Sequence, residues 1–377
     1  MIIAVNTRLL IKDKLEGIGW FTYETLKRIT QQHPEHKFYF LFDRKFHSDF
    51  IFSKNVEAVV VPPQARHPVL YYLWFEYSVP YILKKIKADL FLSPDGYLSL
   101  KTKVKSLAVL HDLNFEHYPK DIPYLERKNY KYFFPKYAKK ATRIATVSEY
   151  SKSDIIKQYS IPENKIDVTY NGANEKFSPI SKPEQEITRK KYSSGEPYFL
   201  FVGALLPRKN LVNLFKAFDD FKKKTPSKIK LLITGEKKWW TKEIQDAFQE
   251  MEFKNDIIFS GRLSGEDLHK VIASALAMTY VSYFEGFGIP IIEAFNCNTP
   301  VITSNITSMP EVAGDAALLI DPFSVESISE AMKKIAFDKK IRSELIDKGK
   351  IRKLDFTWQK SADRLWNSIE RTFQTEI

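Results

Sequence analysis

The stretch Glu-Gly-Phe-Gly-Ile-Pro-Ile-Ile-Glu, residues 285–293, decides how we interpret the rest of this chain. It follows an apolar run at 275–283 that is typical of a buried strand. Gly286 and Gly288 allow the backbone to come close to a ligand, and Pro290 suits the first turn of a helix. The stretch therefore predicts a strand, a glycine turn and a helix in succession.

The positions of the two glutamates indicate the chemistry of the ligand. Glu285 would lie at the carboxyl end of a strand, where open α/β sheets bind ligands, and Glu293 on the first turn of the following helix. The amino terminus of a helix favours an anion, whereas carboxylates accept hydrogen bonds from hydroxyls. A nucleotide-sugar supplies both groups. The alternative is that Glu285 is a loop charge and Glu293 a solvated helix residue.

Length and composition favour two domains in a reducing compartment. The chain has 377 residues, 44% of them hydrophobic. Its single cysteine, Cys297, excludes an internal disulfide. Residues 1–5 form an apolar run too short for a secretory signal, and no run approaches the ~20 apolar residues that span a bilayer. We expect a soluble cytoplasmic protein, with peripheral contact at the inner membrane face as an option.

The positive charge is concentrated in the first half of the chain. The net charge of +12 divides into +9 for residues 1–180 and +3 for the remainder. Its densest part, residues 127–140, interleaves basic and aromatic residues, and residues 84–87 form a second cluster. This pattern fits a solvated helix face whose aromatics pack inward, contact with an anionic membrane, or single-stranded nucleic acid. No nucleic-acid-binding motif supports the third alternative.

Short apolar runs alternate with helical patterns in both halves, which predicts parallel sheets covered by helices. The predicted strands lie near 2–6, 37–42, 56–61, 89–92, 106–110, 143–147, 198–203, 229–234, 257–260, 276–281, 300–303 and 317–320. The predicted helices lie near 20–31, 71–87, 124–140, 149–158, 210–224, 241–252, 264–274, 290–297 and 324–336. Residues 178–185, with two prolines, would link domains 1–180 and 181–355, and residues 356–377 would form a terminal helix.

A pair of cations follows the first strand of the second half. That strand ends at Gly203, and Arg208, Lys209 and Asn210 follow after four intervening residues. Cations there would stabilise the negative charge that a departing nucleoside diphosphate gains, because Arg bridges two phosphate oxygens and Lys supplies a point charge. This element and the Glu-x7-Glu spacing together resemble the retaining glycosyltransferases of family four.

The resemblance implies the GT-B fold, in which two Rossmann-like α/β domains with parallel sheets face a central cleft. The first domain would bind the acceptor and the second the nucleotide-sugar, and the last helix would cross back onto the first domain. The implied reaction is retaining transfer of a hexose, with GDP-mannose favoured over UDP-glucose, UDP-N-acetylglucosamine or UDP-galactose. The acceptor would be a glycan or lipid-linked oligosaccharide of cell-surface polysaccharide or lipopolysaccharide. Two alternatives are a GT-B-like nucleotide-sugar 2-epimerase and a non-enzymatic nucleic-acid-binding protein.

The resemblance also assigns roles to single residues. Glu285 would hold sugar hydroxyls, Glu293 the ribose diol, and Arg208 with Lys209 the diphosphate. His111, which follows the predicted strand at 106–110, would form a hydrogen bond with the donor sugar. Further contacts with the donor would come from Gly17, Gly19, Gly203, Gly261, Leu263, Gly286, Phe287 and Gly288.

Three other positions complete the expected site. Asp95 would meet the acceptor or form a simple turn. Ser308 and Glu311 have the spacing of a capping box at the start of a short helix. The sequence contains no Asp-x-Asp, and its seven His and one Cys have no zinc-like spacing. We therefore expect catalysis without a metal or other cofactor.

Overall fold

The computed structural model describes residues 1–237 and 240–376, which form two compact α/β units. The first unit contains residues 1–172 and the terminal segment from Thr357 onward, and the second contains residues 173–356. The predicted first domain extends to residue 180, so residues 173–180 lie in the second unit instead. Ile377, at the end of the predicted terminal segment, lies outside the described residues.

The first unit is built on a seven-stranded parallel sheet with the strand order β3-β2-β1-β4-β5-β6-β7. Both faces of such a sheet are covered, which explains why its central strands are continuous apolar runs. All carboxyl ends of these strands meet at one edge. The strands are β1 (Ile2–Asn6), β2 (Lys37–Phe42), β3 (Val56–Val60), β4 (Leu90–Ser93), β5 (Lys105–Leu110), β6 (Arg143–Thr146) and β7 (Ile166–Val168), the last of which the sequence does not predict.

One helical region of the first unit differs from its prediction. The single helix predicted over 71–87 is two helices joined by a wider π-helical turn at Trp74–Ser78. Pro80 accounts for this turn, because proline lacks an N–H and its ring clashes with the carbonyl one turn earlier. The helices are α1 (Gly17–Gln32), α2 (Pro68–Leu73), α3 (Val79–Lys85), α4 (Asn114–His117), α5 (Tyr124–Lys140) and α6 (Glu149–Tyr159).

The second unit has a six-stranded parallel sheet with the order β10-β9-β8-β11-β12-β13. Its helices are α7 (Lys182–Ser193), α8 (Leu211–Lys224), α9 (Lys242–Gln249), α10 (Gly265–Ser274), α11 (Ile289–Asn296), α12 (Met309–Ala313), α13 (Val325–Phe337) and α14 (Lys339–Arg352), of which α7 and α14 are not predicted. The strands are β8 (Tyr198–Val202), β9 (Lys230–Thr234), β10 (Ile257–Gly261), β11 (Ala277–Tyr280), β12 (Val301–Ser304) and β13 (Leu318–Ile320).

The predicted linker at 178–185 is helical from Lys182 onward. The Ser181 side chain accepts a hydrogen bond from the Glu184 amide, and the Glu184 side chain accepts one from the Ser181 amide. This is a capping box, and Pro183 fits the first turn because no intrahelical partner exists there for its missing N–H. The sequence therefore contains a helix start where the two prolines suggest a linker.

The terminal helix α15 (Trp358–Gln374) packs on the first unit, against α1 and the strands β4 to β6. Leu365, Trp366 and Ile369 on its apolar face are buried, whereas Phe373, predicted on the same face, is 41% exposed. The Ser361 hydroxyl donates to the Tyr170 carbonyl oxygen and fixes the start of the helix. In the described part of the chain, no helix combines the length and the apolar character needed to cross a membrane.

Gly172 is expected to tolerate no side chain, because the chain returns beside it at the start of α15. A Cβ on Gly172 would lie 2.3 Å from the Trp358 amide nitrogen and 2.7 Å from the Thr357 carbonyl carbon. Since both are backbone atoms, Gly172→Ala should destabilise the first unit by about 1–3 kcal/mol, as measured by urea unfolding. Gly265→Ala is the control, because a Cβ there meets no atom within 4 Å. Equal losses in the two variants would contradict this packing.

Candidate active site

The carboxyl edge of the second sheet contains a very close contact between two glycines. Gly203 follows β8 with φ 145°, and Gly235 follows β9 with φ 152°. A Cβ on Gly235 would lie 1.8 Å from the Gly203 carbonyl oxygen, so a larger residue does not fit. The Gly235 amide also donates to the carbonyl oxygen of Gly261, the last residue of β10, at 3.0 Å. Three neighbouring loops, including the predicted positions Gly203, Gly261 and Leu263, thus meet at one edge.

The turn at Pro207–Lys209 directs the two predicted cations toward the loop after β11. Asn210 ends this turn in the left-handed conformation, with φ 61°. Its Nδ2 donates to the Val281 carbonyl at 3.0 Å and to the Pro322 carbonyl at 2.7 Å. Asn210, the third member of the Arg-Lys-Asn element, therefore has a structural role in fixing this turn.

Both cations contact the same oxygen of Glu285. Lys209 Nζ lies 2.6 Å and Arg208 Nη1 2.7 Å from Glu285 Oε1, and the carboxylate is buried. Lys209 Nζ also donates to the Tyr280 hydroxyl at 2.7 Å, and Arg208 Nη1 to the Phe284 carbonyl at 3.0 Å. The sequence pattern predicts separate ligand contacts for these residues, whereas the structure joins them into one ion cluster with a net charge of +1.

The charges of this cluster determine its protonation. Burial by itself would raise the pKa of Glu285, but the Arg208 and Lys209 charges outweigh it and lower the pKa to about 2. Burial raises the pKa of Tyr280, so its phenol keeps the proton. Glu285 is therefore a permanent anion at physiological pH and cannot serve as a general acid there.

Ser308 holds the glycine turn that follows Glu285. Its hydroxyl oxygen lies 2.9 Å from the carbonyl oxygens of both Glu285 and Phe287. The predicted capping box is therefore wrong in its mechanism: α12 begins at Met309, but the Ser308 side chain makes no cap hydrogen bond. Ser308 has a helical backbone conformation, with φ −81° and ψ −12°, and not the extended one in which an N-cap side chain accepts from the first-turn amides.

The turn and helix after Glu285 match the predicted order. Gly288 has φ 111°, which disfavours any other residue, and α11 begins at Ile289 with Pro290 in its first turn. Phe287 is buried, with its ring 5.5 Å from and edge-on to the ring of Phe356. Glu293 is the fifth residue of α11 and therefore lies on its second turn, one residue beyond the predicted first.

Glu293 differs electrostatically from Glu285. Burial raises the pKa of Glu293 to about 7. In the part of the chain that the structure describes, its carboxyl has no hydrogen-bond or ion-pair partner. The two carboxylates of the Glu-x7-Glu element are thus one fixed anion and one group that titrates near neutrality.

His111 lies at the carboxyl edge of the first sheet, directly after β5. Its Nε2 lies 2.8 Å from the Pro94 carbonyl oxygen, which can only accept, so Nε2 carries a proton. Burial lowers the pKa of His111, which favours the neutral ring with Nδ1 as an acceptor. Phe21 of α1 packs edge-on against this ring at 5.1 Å. The predicted Gly17 and Gly19 form the first turn of the same helix.

Asp95 is held by a buried network that sequence reasoning did not find. Its Oδ2 pairs with Arg8 Nε at 2.6 Å, and its Oδ1 accepts from Asn6 Nδ2 at 2.8 Å and from the Tyr97 amide at 3.2 Å. Both oxygens are therefore engaged within the first unit. The network fixes the loop after β4, whose Pro94 carbonyl holds His111. In the sequence, the change from apolar to polar residues at the end of β1 is the signal from which this network could have been predicted.

Two family models match this chain, one in each half. The model for glycosyl transferases group 1 matches residues 184–352, and the model for Glycosyltransferase Family 4 matches residues 15–177. The chain belongs to glycosyltransferase family 4. This family transfers sugars with retention, and enzymes with the GT-B fold use nucleotide-sugar donors.

Individual relatives agree with this assignment, and solved structures share the fold. The glycosyltransferase is 27% identical to an O-antigen chain mannosyltransferase B of Escherichia coli, over 96% of this chain and 97% of the relative. It is 29% identical to an O-antigen chain mannosyltransferase of Salmonella typhimurium, over 77% of this chain and 80% of the relative. Its fold matches sucrose-phosphate synthase of Thermosynechococcus elongatus (TM-score 0.79, 18% identity, 99% of both chains) and Anabaena HepE (TM-score 0.77, 15% identity, 98% and 100%).

One group of side chains in this glycosyltransferase has metal-type spacing, but it lies outside the predicted site. The nitrogen and oxygen atoms of His33, Glu35 and His36 that could bind a metal lie within 4.8 Å of one another. The two imidazole rings are nearly parallel, at 16°, and both stack on Trp366. His36 Nδ1 also lies 3.1 Å from the amino-terminal nitrogen of Met1. The stacking of both rings on Trp366 makes this cluster a packing contact at the end of α1.

The Ser308 contacts predict that removing its hydroxyl lowers the turnover strongly while lowering the free energy of unfolding only slightly. Ser308→Ala should cost about 1 kcal/mol of unfolding free energy and reduce turnover at least tenfold, because the loop that carries Glu285 loses its support. Asp338→Ala, which removes the cap of α14, should cost a similar free energy without changing turnover. Urea unfolding and a donor-consumption assay measure the two effects. Equal turnover in the two variants would show that the loop does not need Ser308.

The raised pKa of Glu293 predicts a pH-dependent stability. The folded state binds this proton more tightly than the unfolded state, so stability is lost as pH rises from about 4.5 to about 7. Glu293→Gln removes the effect, and its stability relative to the unmodified enzyme should therefore rise by about 2 kcal/mol between pH 5 and pH 8. Urea unfolding at both pH values tests this. Glu344→Gln, on the exposed side of α14, should show no such rise.

Proposed function

We propose that this glycosyltransferase transfers mannose from GDP-mannose to a hydroxyl of a glycan or lipid-linked acceptor in the synthesis of a cell-surface polysaccharide. The observation that carries the proposal is the convergence of Arg208 and Lys209 on one oxygen of Glu285 at the strand edge. The choice of mannose and of this pathway is supported by two relatives that are O-antigen mannosyltransferases. A UDP-sugar is the second candidate, because HepE has the same fold and binds UDP-glucose.

The ion cluster suits the diphosphate of a nucleotide-sugar. As the anomeric C–O bond breaks, its electron pair passes to the phosphate oxygen, and the negative charge there grows. Arg208 and Lys209, held by Glu285, present a net positive charge that needs no rearrangement when the charge develops. The two cations take the part that a divalent ion plays elsewhere, so we propose that no metal is needed.

Retention is explained by attack of the acceptor on the face from which the phosphate leaves. The acceptor oxygen bonds to the anomeric carbon, and its proton passes to the departing phosphate. Glu285 is unsuited to act as a nucleophile, because two cations share its Oε1. We propose instead that Glu285 binds sugar hydroxyls through its second oxygen and stabilises positive charge at the anomeric carbon.

The remaining predicted residues complete the proposed site. Glu293, whose carboxyl has no partner among the described residues, would accept hydrogen bonds from the ribose diol. His111 would contact the donor sugar through Nδ1, since Nε2 is held by Pro94. The residues proposed to approach the donor through their backbone are Gly17, Gly19, Gly203, Gly261, Leu263, Gly286, Phe287 and Gly288. Asp95 is proposed to shape the acceptor side through the loop that it holds.

A donor panel in the presence of EDTA tests the proposal. Ligand-observed NMR against GDP-mannose, UDP-glucose, UDP-N-acetylglucosamine and UDP-galactose should show binding of GDP-mannose, and Arg208→Ala should weaken it at least tenfold. Lys333→Ala, an exposed cation on α13, is the matched control. Glu285→Gln should lower turnover by about 10²-fold or more. If a UDP-sugar binds and GDP-mannose does not, the proposed donor is wrong and the UDP-sugar takes its place. Full turnover in Glu285→Gln would contradict the role that we propose for this carboxylate.

A further inference from the structure

Two neighbouring helical segments of the first unit expose large apolar side chains to solvent. In the first, Val69, Leu73, Tyr77 and Tyr81 recur every four residues and are 60%, 40%, 54% and 70% exposed. Residues at this spacing lie on one side of a helix, so the four form a single line along α2, the π-helical turn and α3. The opposite side of the same segment is fully buried at Trp74, Phe75 and Val79.

The second segment, α5, alternates apolar and basic residues on its outer side. Leu125, Lys128, Tyr132 and Lys136 follow one another at helical spacing, and all four are exposed. The inner side of α5 packs into the core, where the ring of Phe134 contacts that of Tyr97 at 5.3 Å. The aromatic residues within 127–140 therefore divide between the two sides of α5: Phe134 is buried in the core, and Tyr132 is exposed to solvent.

Ring contacts join the two segments into one surface, which we name the aromatic-lysine face (the exposed side chains of residues 69–81 and 124–136, with Lys101). The Tyr72 ring lies 6.0 Å from the ring of Tyr77 and 6.3 Å from that of Phe133 on α5. Lys101 Nζ lies 3.5 Å above the Tyr77 ring. A contiguous exposed apolar patch rimmed by polar residues marks a site of interaction with a protein, a membrane or a ligand.

The charges on this face favour an anionic partner. Residues 69–81 and 124–136 contain two carboxylates, Glu76 and Glu126. Glu76 is buried and accepts hydrogen bonds from the amides of Leu100 and Lys101, so it presents no charge to a partner. The lysines of α5 and Lys101 therefore outnumber the exposed carboxylate.

The position of the lysines separates the classes of anionic partner. Lys101 Nζ covers the Tyr77 ring, and Lys136 Nζ lies 3.3 Å above the Tyr132 ring. Bases of single-stranded nucleic acid bind by stacking on ring faces. Here a lysine covers one face of each of these two rings, which leaves less ring surface for stacking. Protein interfaces are depleted in lysine. Tyrosine beside lysine is instead typical of a membrane surface, where rings lie at headgroup level and ammonium groups meet lipid phosphates.

We propose that the aromatic-lysine face docks the first unit peripherally on an anionic lipid bilayer. The tyrosines and Leu125 would enter the headgroup region, and the lysines would pair with lipid phosphates. This inference does not depend on which donor or acceptor the enzyme uses, because the face contains none of the residues that we propose to contact the donor or the acceptor. Its failure would leave the proposed reaction unaffected.

Vesicle co-sedimentation of the full chain tests the docking. Vesicles of phosphatidylcholine with 30% phosphatidylglycerol should bind at least tenfold more tightly than phosphatidylcholine alone, and 0.5 M salt should weaken the binding, since salt screens exposed charges. The triple variant Tyr77→Ser, Tyr81→Ser, Tyr132→Ser should bind the anionic vesicles at least tenfold more weakly than the unmodified enzyme. The double variant Lys128→Gln, Lys136→Gln should bind them about tenfold more weakly. All five positions are exposed, so thermal unfolding of both variants should be unchanged.

Matched changes in the second unit serve as controls. Phe323→Ser with Phe337→Ser and Lys333→Gln with Lys334→Gln remove similar side chains elsewhere and should leave vesicle binding unchanged. Equal binding of all variants, or no binding to anionic vesicles, would overturn the proposal. Binding of a single-stranded oligonucleotide in place of vesicles, lost in the same variants, would assign the face to nucleic acid instead.

A fluorescent reporter tests insertion separately from charge attraction. Tyr81→Trp should show a blue shift of its emission on anionic vesicles and quenching by brominated lipid acyl chains. Phe337→Trp, at an exposed position of the second unit, should show neither effect. A Tyr81→Trp spectrum that does not change while the protein sediments with vesicles would reduce the contact to charge attraction alone and overturn the insertion of the rings.

Discussion

The Glu285 carboxylate, buried between Arg208 and Lys209, is the interaction on which the site of the second unit depends. Removing a carboxylate from water is costly, and the two cations on one of its oxygens keep it ionised. In return, Glu285 holds two cations at the strand edge that would otherwise repel each other. The cluster is thus prepared for an anion before any ligand arrives, which is the property that phosphoryl leaving groups require.

The backbone around this cluster is arranged to keep it in place. Gly235 permits the contact with Gly203 that brings two strand-end loops together, and Asn210 ties the turn bearing the cations to the segments after β11 and β13. Ser308 supports the carbonyls on either side of the glycine turn. These contacts come from five different loops, which follow β8, β9, β11, β12 and β13. The position of each charged group is therefore determined by the whole sheet edge rather than by its own segment.

The first unit shows how one buried ion pair can serve two surfaces. Arg8 pairs with Asp95 and lies 4.9 Å and 4.8 Å from the ring centroids of Tyr71 and Tyr97. Asp95 fixes the loop whose Pro94 carbonyl holds His111, whereas Tyr71 belongs to α2, whose outer side forms part of the aromatic-lysine face. The same buried network therefore supports the strand edge that carries His111 and the helix that we propose to contact lipid.

The sequence by itself determined the two-unit α/β plan, most strand positions and the residues of the Glu-x7-Glu and Arg-Lys-Asn elements, because apolar periodicity, glycine turns and charge spacing are local properties. Only the tertiary structure decided that Glu285 binds both cations, that Ser308 supports a loop instead of capping a helix, and that Asp95 pairs with Arg8. These pairings join residues far apart in the chain, and burial then sets their pKa values. Two carboxylates that look equivalent in the sequence consequently differ, Glu285 being a fixed anion and Glu293 a group that titrates near pH 7.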